Sequence, residues 1–322
     1  MPSLMTHSYF MQDIYNKLDK NIINKIILDD AKIFAQGPDI FYFYNMCIGN
    51  KAKKYKLMGN YMHKNKVNLY FENMINYIKE NKLKNDKQCL SFLYGSIAHF
   101  VLDSIIHPFI YYKTRIFIKG KPDTYKYNGL HQEMEYYLDS YMIFQNEKIE
   151  AKDFKMYKNI NDIKLSDNTI NMISNVIKDT YNYDNIGKIY SKCVKDMKRI
   201  YKYFKYDHYG IKKFINNLLN NIIPKKFNRK KKSTFYFTHN SKKHYLNLEK
   251  NEWNHPIDLY ETYNHSFIEL YIIALDKAYC IINEVDNILE NDIKDINDLI
   301  SNLSYFTGKD CEDKRIMKYF EF

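Results

Sequence analysis

Glycine and proline are scarce in this chain, at nine and six of 322 residues. A fold dominated by tight turns needs more of both, so short connections between helices are expected instead. Clean apolar/polar alternation is also rare, whereas apolar residues at i, i+3, i+4 spacing recur almost throughout. That periodicity predicts an all-α protein. The five cysteines (Cys47, Cys89, Cys193, Cys280, Cys311) are scattered, odd in number and form no CxxC pair. A disulfide scaffold and a structural zinc ribbon are thereby disfavoured, and a reducing compartment is the default. There is no Gly-rich phosphate loop, no HExxH and no nucleophile elbow, which sets aside the chemistries those motifs serve. The opening residues, Met1 to Phe10, lack a basic region followed by an apolar core. No signal peptide is expected there, and the expected location is cytoplasmic.

Lys, Asn, Ile and Tyr are over-used along the whole chain, so part of the net charge of +11 reflects coding bias. The remaining basic excess favours anionic partners, either membrane lipid at the periphery or, less so, nucleic acid. The longest apolar helical stretch, Ser91 to Tyr111, is interrupted by His99, Asp103 and His107. It reads as a buried core helix rather than a membrane span. Positions i, i+4 and i+8 share one helix face, drifting by about 40° per step. Two imidazoles and a carboxylate buried without partners cost several kcal/mol each, on the order of the whole stability of a domain. A metal ion is the simplest compensation.

Helical patterning is expected from about Tyr9 to Ala35, broken at Gln36-Gly-Pro-Asp39. An aromatic run, Ile40 to Tyr44, leads into a Lys-rich loop with Gly49 and Gly59. An amphipathic helix then carries Val67, Phe71, Met74, Ile75 and Ile78 on one stripe. The next helix spans roughly Lys87 to Thr114, with Pro108 expected to kink or end it. Further helices are expected from about Leu130 and over 167–181, 184–205 and 209–222. A basic segment, Pro224 to Ser233, precedes a short strand at Thr234–Thr238, and two helices close the chain over 257–290 and 293–304. The whole of 1–322 is expected to be one all-helical domain, with a basic loop near 224–248 and closing helices within 257–304.

Donor residues concentrate in the first 135 positions: His7, Asp39, His63, His99, Asp103, His107, His131 and Glu135. Neutral imidazoles mixed with carboxylates suit zinc. His131 and Glu135 repeat the i, i+4 spacing on a second helix, so two helices can face each other across a cluster. One such pair proves little, since His265 and Glu269 have the same spacing and read as plain helix neighbours. Tyr42 and Phe43 read as substrate-pocket lining or, preferred, as core aromatics, and Trp253 with Pro256 as either a lip or a packed turn. The lone Asp-His doublet, Asp207-His208, lies far from the other donors and disfavours an HD-type phosphohydrolase.

In order along the chain, Thr6-His7, Gln36-Gly-Pro-Asp39, Met62-His63, His99-(x)3-Asp103-(x)3-His107-Pro108 and His131-(x)3-Glu135 resemble the pattern of the zinc-dependent phospholipase C family. A weaker echo lies in Asn247 to Pro256 and Ser266 to Leu270. The related single-strand-specific zinc nucleases share the family's all-helical fold and trinuclear site. The resemblance implies two or three zinc ions. Asp39, His63, His99 and Asp103 would hold the first, and His107, His131 and Glu135 the second. The third would use His7 and share Asp103. Family members complete it with the amine and carbonyl of an N-terminal tryptophan that has no counterpart here, and the Pro2 amine, exposed by removal of Met1, is expected in its place. The spacing from Asp103 to His107 is tighter than in secreted members. The implied activity is hydrolysis of a phosphodiester, a phospholipid, by a metal-activated water that Asp39 orients or deprotonates. An aromatic residue follows this aspartate in the phospholipases and contacts a choline head group. Here the position is Ile40, which argues against choline. Two other readings stay open at this point: a single-strand nuclease using the same metals, and a non-catalytic protein that zinc stabilises.

Overall fold

A computed structural model describes residues 3–203, 237–293 and 299–321. The apolar 3.6-residue spacing becomes helix almost everywhere it occurs. In chain order these are α1 Met5–Lys17, α2 Lys20–Ile23, α3 Leu28–Phe34, α4 Asn50–Met62, α5 Val67–Glu80 and α6 Lys87–Thr114. They continue as α7 Leu130–Glu147, α8 Asp167–Tyr181, α9 Ile186–Tyr203 and α10 Phe267–Glu290. One antiparallel hairpin, β1 Trp253–His255 and β2 Asp258–Tyr263, pairs Trp253 with Tyr263 and Asn254 with Thr262.

The central element is α6, which packs against α1, α3, α7 and α10. Apolar residues lie all around it and are buried almost without break from Cys89 to Ile110, as a helix must be when it has neighbours on every side. It is long and apolar enough to cross a bilayer, yet the surrounding helices cover it. Asp86 caps its start, accepting from the amides of Gln88 at 3.1 Å and Cys89 at 3.0 Å. The hydrophobic core around it runs unbroken from Leu4 to Tyr305.

Pro108 does not end α6, which continues to Thr114. Proline withholds an N–H from the carbonyl four residues back, here Ser104. Gly308 covers that oxygen so closely that a Cβ at this position would collide with it. A distant segment thus closes over the defect, and the helix passes through.

Other expectations need correction. The helical patterning of Tyr9–Ala35 is carried by three helices that begin at Met5 and are separated by short turns at 18–19 and 24–27. The Lys-rich loop is mostly α4: its polar face hides the buried stripe of Ala52, Met58, Gly59 and Met62. The expected helix 257–290 starts ten residues later, because residues 253–263 form the hairpin. Trp253 there is a packed strand residue of the hairpin rather than a lip, 2 % exposed between Phe109, Tyr112 and Tyr263. Residues 299–304 of the expected last helix are not helical, and Leu303 bridges to Asp310 instead. Phe237 and Thr238 are not in a strand. The rest of that strand, the helix 209–222, Asp207-His208 and the basic segment 224–233 lie outside the described residues, as does Pro2.

Candidate metal centre

Each donor arrives from a different local device. His7 lies in the first turn of α1, and Asp39 in the 3₁₀ segment Gly37–Cys47. His63 is the residue that ends α4. His99, Asp103 and His107 sit on successive turns of α6, and His131 and Glu135 on one face of α7. Seven of these donors form two groups, Asp39–His63–His99–Asp103 and His107–His131–Glu135. Within each group the ligating atoms all lie within 4.8 Å of one another. Six of the seven are buried, and His131 is partly exposed.

Asp103 stands where the groups meet. One carboxylate oxygen is 3.3 Å from His7 Nε2. The other is 3.2 Å from His99 Nε2, 3.6 Å from His107 Nδ1 and 4.0 Å from His63 Nε2. His63 Nε2 also lies 3.2 Å from Asp39, and His131 Nε2 lies 3.2 Å from Glu135. His7 therefore joins neither group directly but stacks on His99, centroid to centroid 4.5 Å, and reaches the cluster through Asp103.

The far side of three imidazoles fixes their tautomers. Nδ1 of His63 faces the Gly59 carbonyl at 2.6 Å, that of His99 the Ala35 carbonyl at 3.0 Å, and that of His107 the Tyr305 carbonyl at 2.8 Å. A carbonyl can only accept, so Nδ1 carries a proton, and in the neutral form of each ring the Nε2 lone pair points into the cluster. Gly37 permits the approach of His99: its backbone has φ of 48°, and a Cβ there would collide with the His99 ring.

Burial and charge pull these groups in different directions. Burial lowers the pKa of His99 more than Asp103 raises it, so this ring is held neutral. Burial also acts against His107, yet Asp103 and Glu135 outweigh it and push its pKa up to about 9. Burial would raise the Asp103 carboxyl, but His107, His99 and His7 hold it well below the usual carboxylate range. Glu135, likewise opposed by burial, is drawn down to about 2 by His131 and His107.

The residues fit zinc. His99 Nε2 and Asp103 Oδ2 are both buried and neither has a hydrogen-bond partner among the described residues. Orphaned polar atoms of that kind are rare in folded proteins and need a ligand to account for them. Two imidazoles with two carboxylates, and two imidazoles with one carboxylate, are donor sets that zinc takes. The second set has three protein donors, the number that leaves a coordination position open for chemistry.

A sequence profile of zinc-dependent phospholipase C matches residues 6–186, more than half of the chain and all eight donors. The chain belongs to the zinc-dependent phospholipase C family. No curated protein and no solved structure gave a match. The all-helical architecture expected of this phospholipase C family is the one observed.

Sequence reasoning missed residues 303–308. Tyr305 packs its ring on His63, centroids 4.9 Å apart, and Phe306 lies parallel to His63 at 5.1 Å. Phe306 and Tyr111 also flank His107, and Tyr111 sits 4.7 Å from His131. Of the two readings of Tyr42, the one beside the site fits: it stacks beside His63 at 6.2 Å and donates to Asn60 at 2.7 Å. Phe43 is core, as expected. His265 and Glu269 have no place in the cluster. Glu269 closes the capping box of α10 with Ser266 and pairs with Lys250.

Proposed function

We propose that this protein hydrolyses phosphodiesters of phospholipids, with Asp39 as the base that prepares the attacking water. The observation that carries the reading is the pair of adjoining donor groups, one of four residues and one of three, meeting at Asp103. Zinc bound to them would polarise the phosphoryl oxygens and bring the pKa of a water down towards ~7. His63, His99, His107 and His131 contribute neutral nitrogen donors, and their backbone or carboxylate partners keep them aimed. Asp39 is the carboxylate with capacity to spare. Its Oδ1 faces His63, and its Oδ2, without an ion pair among the described residues, would take the proton of a water attacking phosphorus in line. That proton then serves the departing alkoxide, leaving a diglyceride and a phosphorylated head group.

Ile40 is completely buried, so the residue after Asp39 contributes nothing to a head-group pocket. The aromatic wall comes instead from Tyr42, Tyr111 and Phe306. The phospholipid substrate proposed is therefore not specified as a choline lipid.

The test is a hydrolysis panel of an activated soluble phosphodiester, phospholipid vesicles and single-stranded DNA, each with and without chelator. Chelator-sensitive release of diglyceride is expected. Asp39→Asn should lower turnover by about a hundredfold or more while most zinc remains bound. Wild-type rates in that variant would remove Asp39 from the mechanism. Cleavage of DNA alone would replace the phospholipase reading with a nuclease.

A further inference from the structure

The stretch between Asp39 and Glu72 contains no acidic residue and six lysines, at positions 51, 53, 54, 56, 64 and 66. Lys66 is engaged by the Thr180 carbonyl. The other five are exposed, and none is ion-paired among the described residues. Apolar side chains are exposed beside them: Ile48 at 73 %, Leu57 at 58 % and Tyr61 at 45 %. Lys53, Leu57 and Tyr61 follow at i, i+4 on the outer face of α4, with Lys64 just beyond, while Ile48 stands before its first turn.

The loop that presents Ile48 is strained. Asn45, Met46 and Cys47 have φ of 49°, 51° and 68° in succession, a conformation non-glycine residues rarely adopt. The Asn45 amide donates to Asp196 at 3.0 Å and the Cys47 thiol to the Tyr42 carbonyl at 3.0 Å, which hold the loop in place. The arrangement turns Met46 and Ile48 towards solvent rather than into the core.

This face also borders the metal centre. Lys56 Nζ lies 5.9 Å from the ring of Tyr42, and Lys64 Nζ 5.2 Å from the ring of Phe306. Both rings lie parallel to His63, within 10° and 6°.

We propose that the loop 45–49 and the outer face of α4 dock on an anionic phospholipid bilayer, with Ile48, Leu57 and Tyr61 entering the head-group boundary and the lysines meeting lipid phosphates. The choice rests in part on the phospholipase reading, since a bilayer would then be both partner and substrate. It also rests on chemistry the reading does not supply. Unpaired lysines alone would suit any polyanion, but exposed aliphatic side chains gain nothing from a nucleic-acid backbone and gain apolar burial at a lipid interface. Lysine stems lying along such a surface keep their ammonium groups at head-group level. Docking by this face sets the aromatic wall of the site against the lipid surface.

The experiment is vesicle flotation of the zinc-loaded protein, which needs no turnover. Two vesicle compositions serve: phosphatidylcholine alone, and phosphatidylcholine with about one third phosphatidylglycerol. Recovery with the anionic vesicles should be higher and should fall with added salt. Lys51→Glu/Lys53→Glu/Lys54→Glu should weaken it by at least about tenfold, and Ile48→Ser/Leu57→Ser should also reduce it. Both variants change exposed positions outside the metal cluster, so hydrolysis of a soluble phosphodiester should persist and certify folding. Unchanged flotation of either variant overturns the proposal. So does binding that follows the lysines alone and is matched on single-stranded DNA. Docking without any hydrolysis would leave this surface standing and sink only the phospholipase reading.

Discussion

Tyr305 ties the two donor groups together through its main chain. Its carbonyl accepts from His107 Nδ1 at 2.8 Å, while its amide donates to the carbonyl of His63 at 2.9 Å. Its ring, 1 % exposed, fills the space between His63, His99 and Phe100. Tyr305→Ala should therefore cost about 3–5 kcal/mol of unfolding free energy, as other aromatic-to-alanine core changes do, and should weaken zinc retention at both groups. Tyr305→Phe keeps the ring and the main chain and should retain the metal. Denaturant unfolding combined with zinc analysis checks both, and an alanine variant that holds zinc as tightly as wild type would deny Tyr305 this role.

The candidate donors were legible by different signals: His99, Asp103 and His107 interrupt an apolar helical run, His131 and Glu135 repeat the i, i+4 spacing, Asp39 and His63 stand beside turn-forming residues, and His7 came from the family pattern. The helices α5 to α9 were legible from their apolar periodicity. Tyr305 was invisible because it acts through backbone atoms, which carry no side-chain signature, and because Leu299, Ile300 and Leu303 imitate a helical stripe. The hairpin at Trp253 to Tyr263 was too short for its alternation to register. The carbonyl that Pro108 leaves without an amide partner is covered by Gly308, 200 residues away, a packing that local rules cannot anticipate.

Zinc uptake by the second group should depend on pH. In the metal-free protein His107 has its pKa raised from an ordinary value of about 6.5 to about 9. A raised histidine pKa gives folding stability that is fully present below about 6.5 and lost as pH rises through about 9. Metal binding runs the other way, because a ligating imidazole must be neutral. Affinity of the His107–His131–Glu135 group should climb about tenfold per pH unit between those limits, with release of a proton. His99 is already held neutral, so the Asp39–His63–His99–Asp103 group should respond less. Calorimetric zinc titrations in buffers of different protonation enthalpy resolve this, and equal proton release for the two ions would contradict it.

Asp139 acts as a remote cap for α1. It lies on α7, one turn beyond Glu135, and is completely buried at 1 % exposure. Its carboxylate accepts from the amides of Leu4 and Thr6 at 2.9 and 2.7 Å and from the hydroxyls of Ser3 and Thr6. These amides are among the unpaired donors at the start of α1, which has no capping side chain of its own. Since His7 sits in the next residue, Asp139 also registers α1 against the helix that carries His131 and Glu135. Asp139→Ala would strand several buried donors, each costing about 1–3 kcal/mol. A loss of about 2–4 kcal/mol is expected after relaxation, together with faster proteolysis near the N-terminus. Asp139→Asn keeps one accepting oxygen and should lie between. A loss below about 0.5 kcal/mol in the alanine variant would mean the contacts are incidental.

Gly37→Ala should disable the first donor group with little effect on the second. Alanine at φ of 48° is strained, by about 1 kcal/mol or more. The larger effect is steric, because the new methyl would collide with the His99 ring, whose Nδ1 is held by the carbonyl of Ala35, two residues earlier on the same backbone. Either the ring swings out, breaking that hydrogen bond and taking Nε2 away from Asp103, or the segment bearing Asp39 retreats. Both routes separate Asp39 from His99. Zinc at the Asp39–His63–His99–Asp103 group should then weaken by at least about tenfold, equivalent to about 1.4 kcal/mol. The His107–His131–Glu135 group, built on α6 and α7 one to two turns further along, should keep its ion. Metal content at limiting chelator, read beside the unfolding midpoint, separates a local defect from global loosening. Parallel loss of both ions would show that the two groups fold as one unit, and full retention of both would show that the glycine is not required for His99 to reach the cluster.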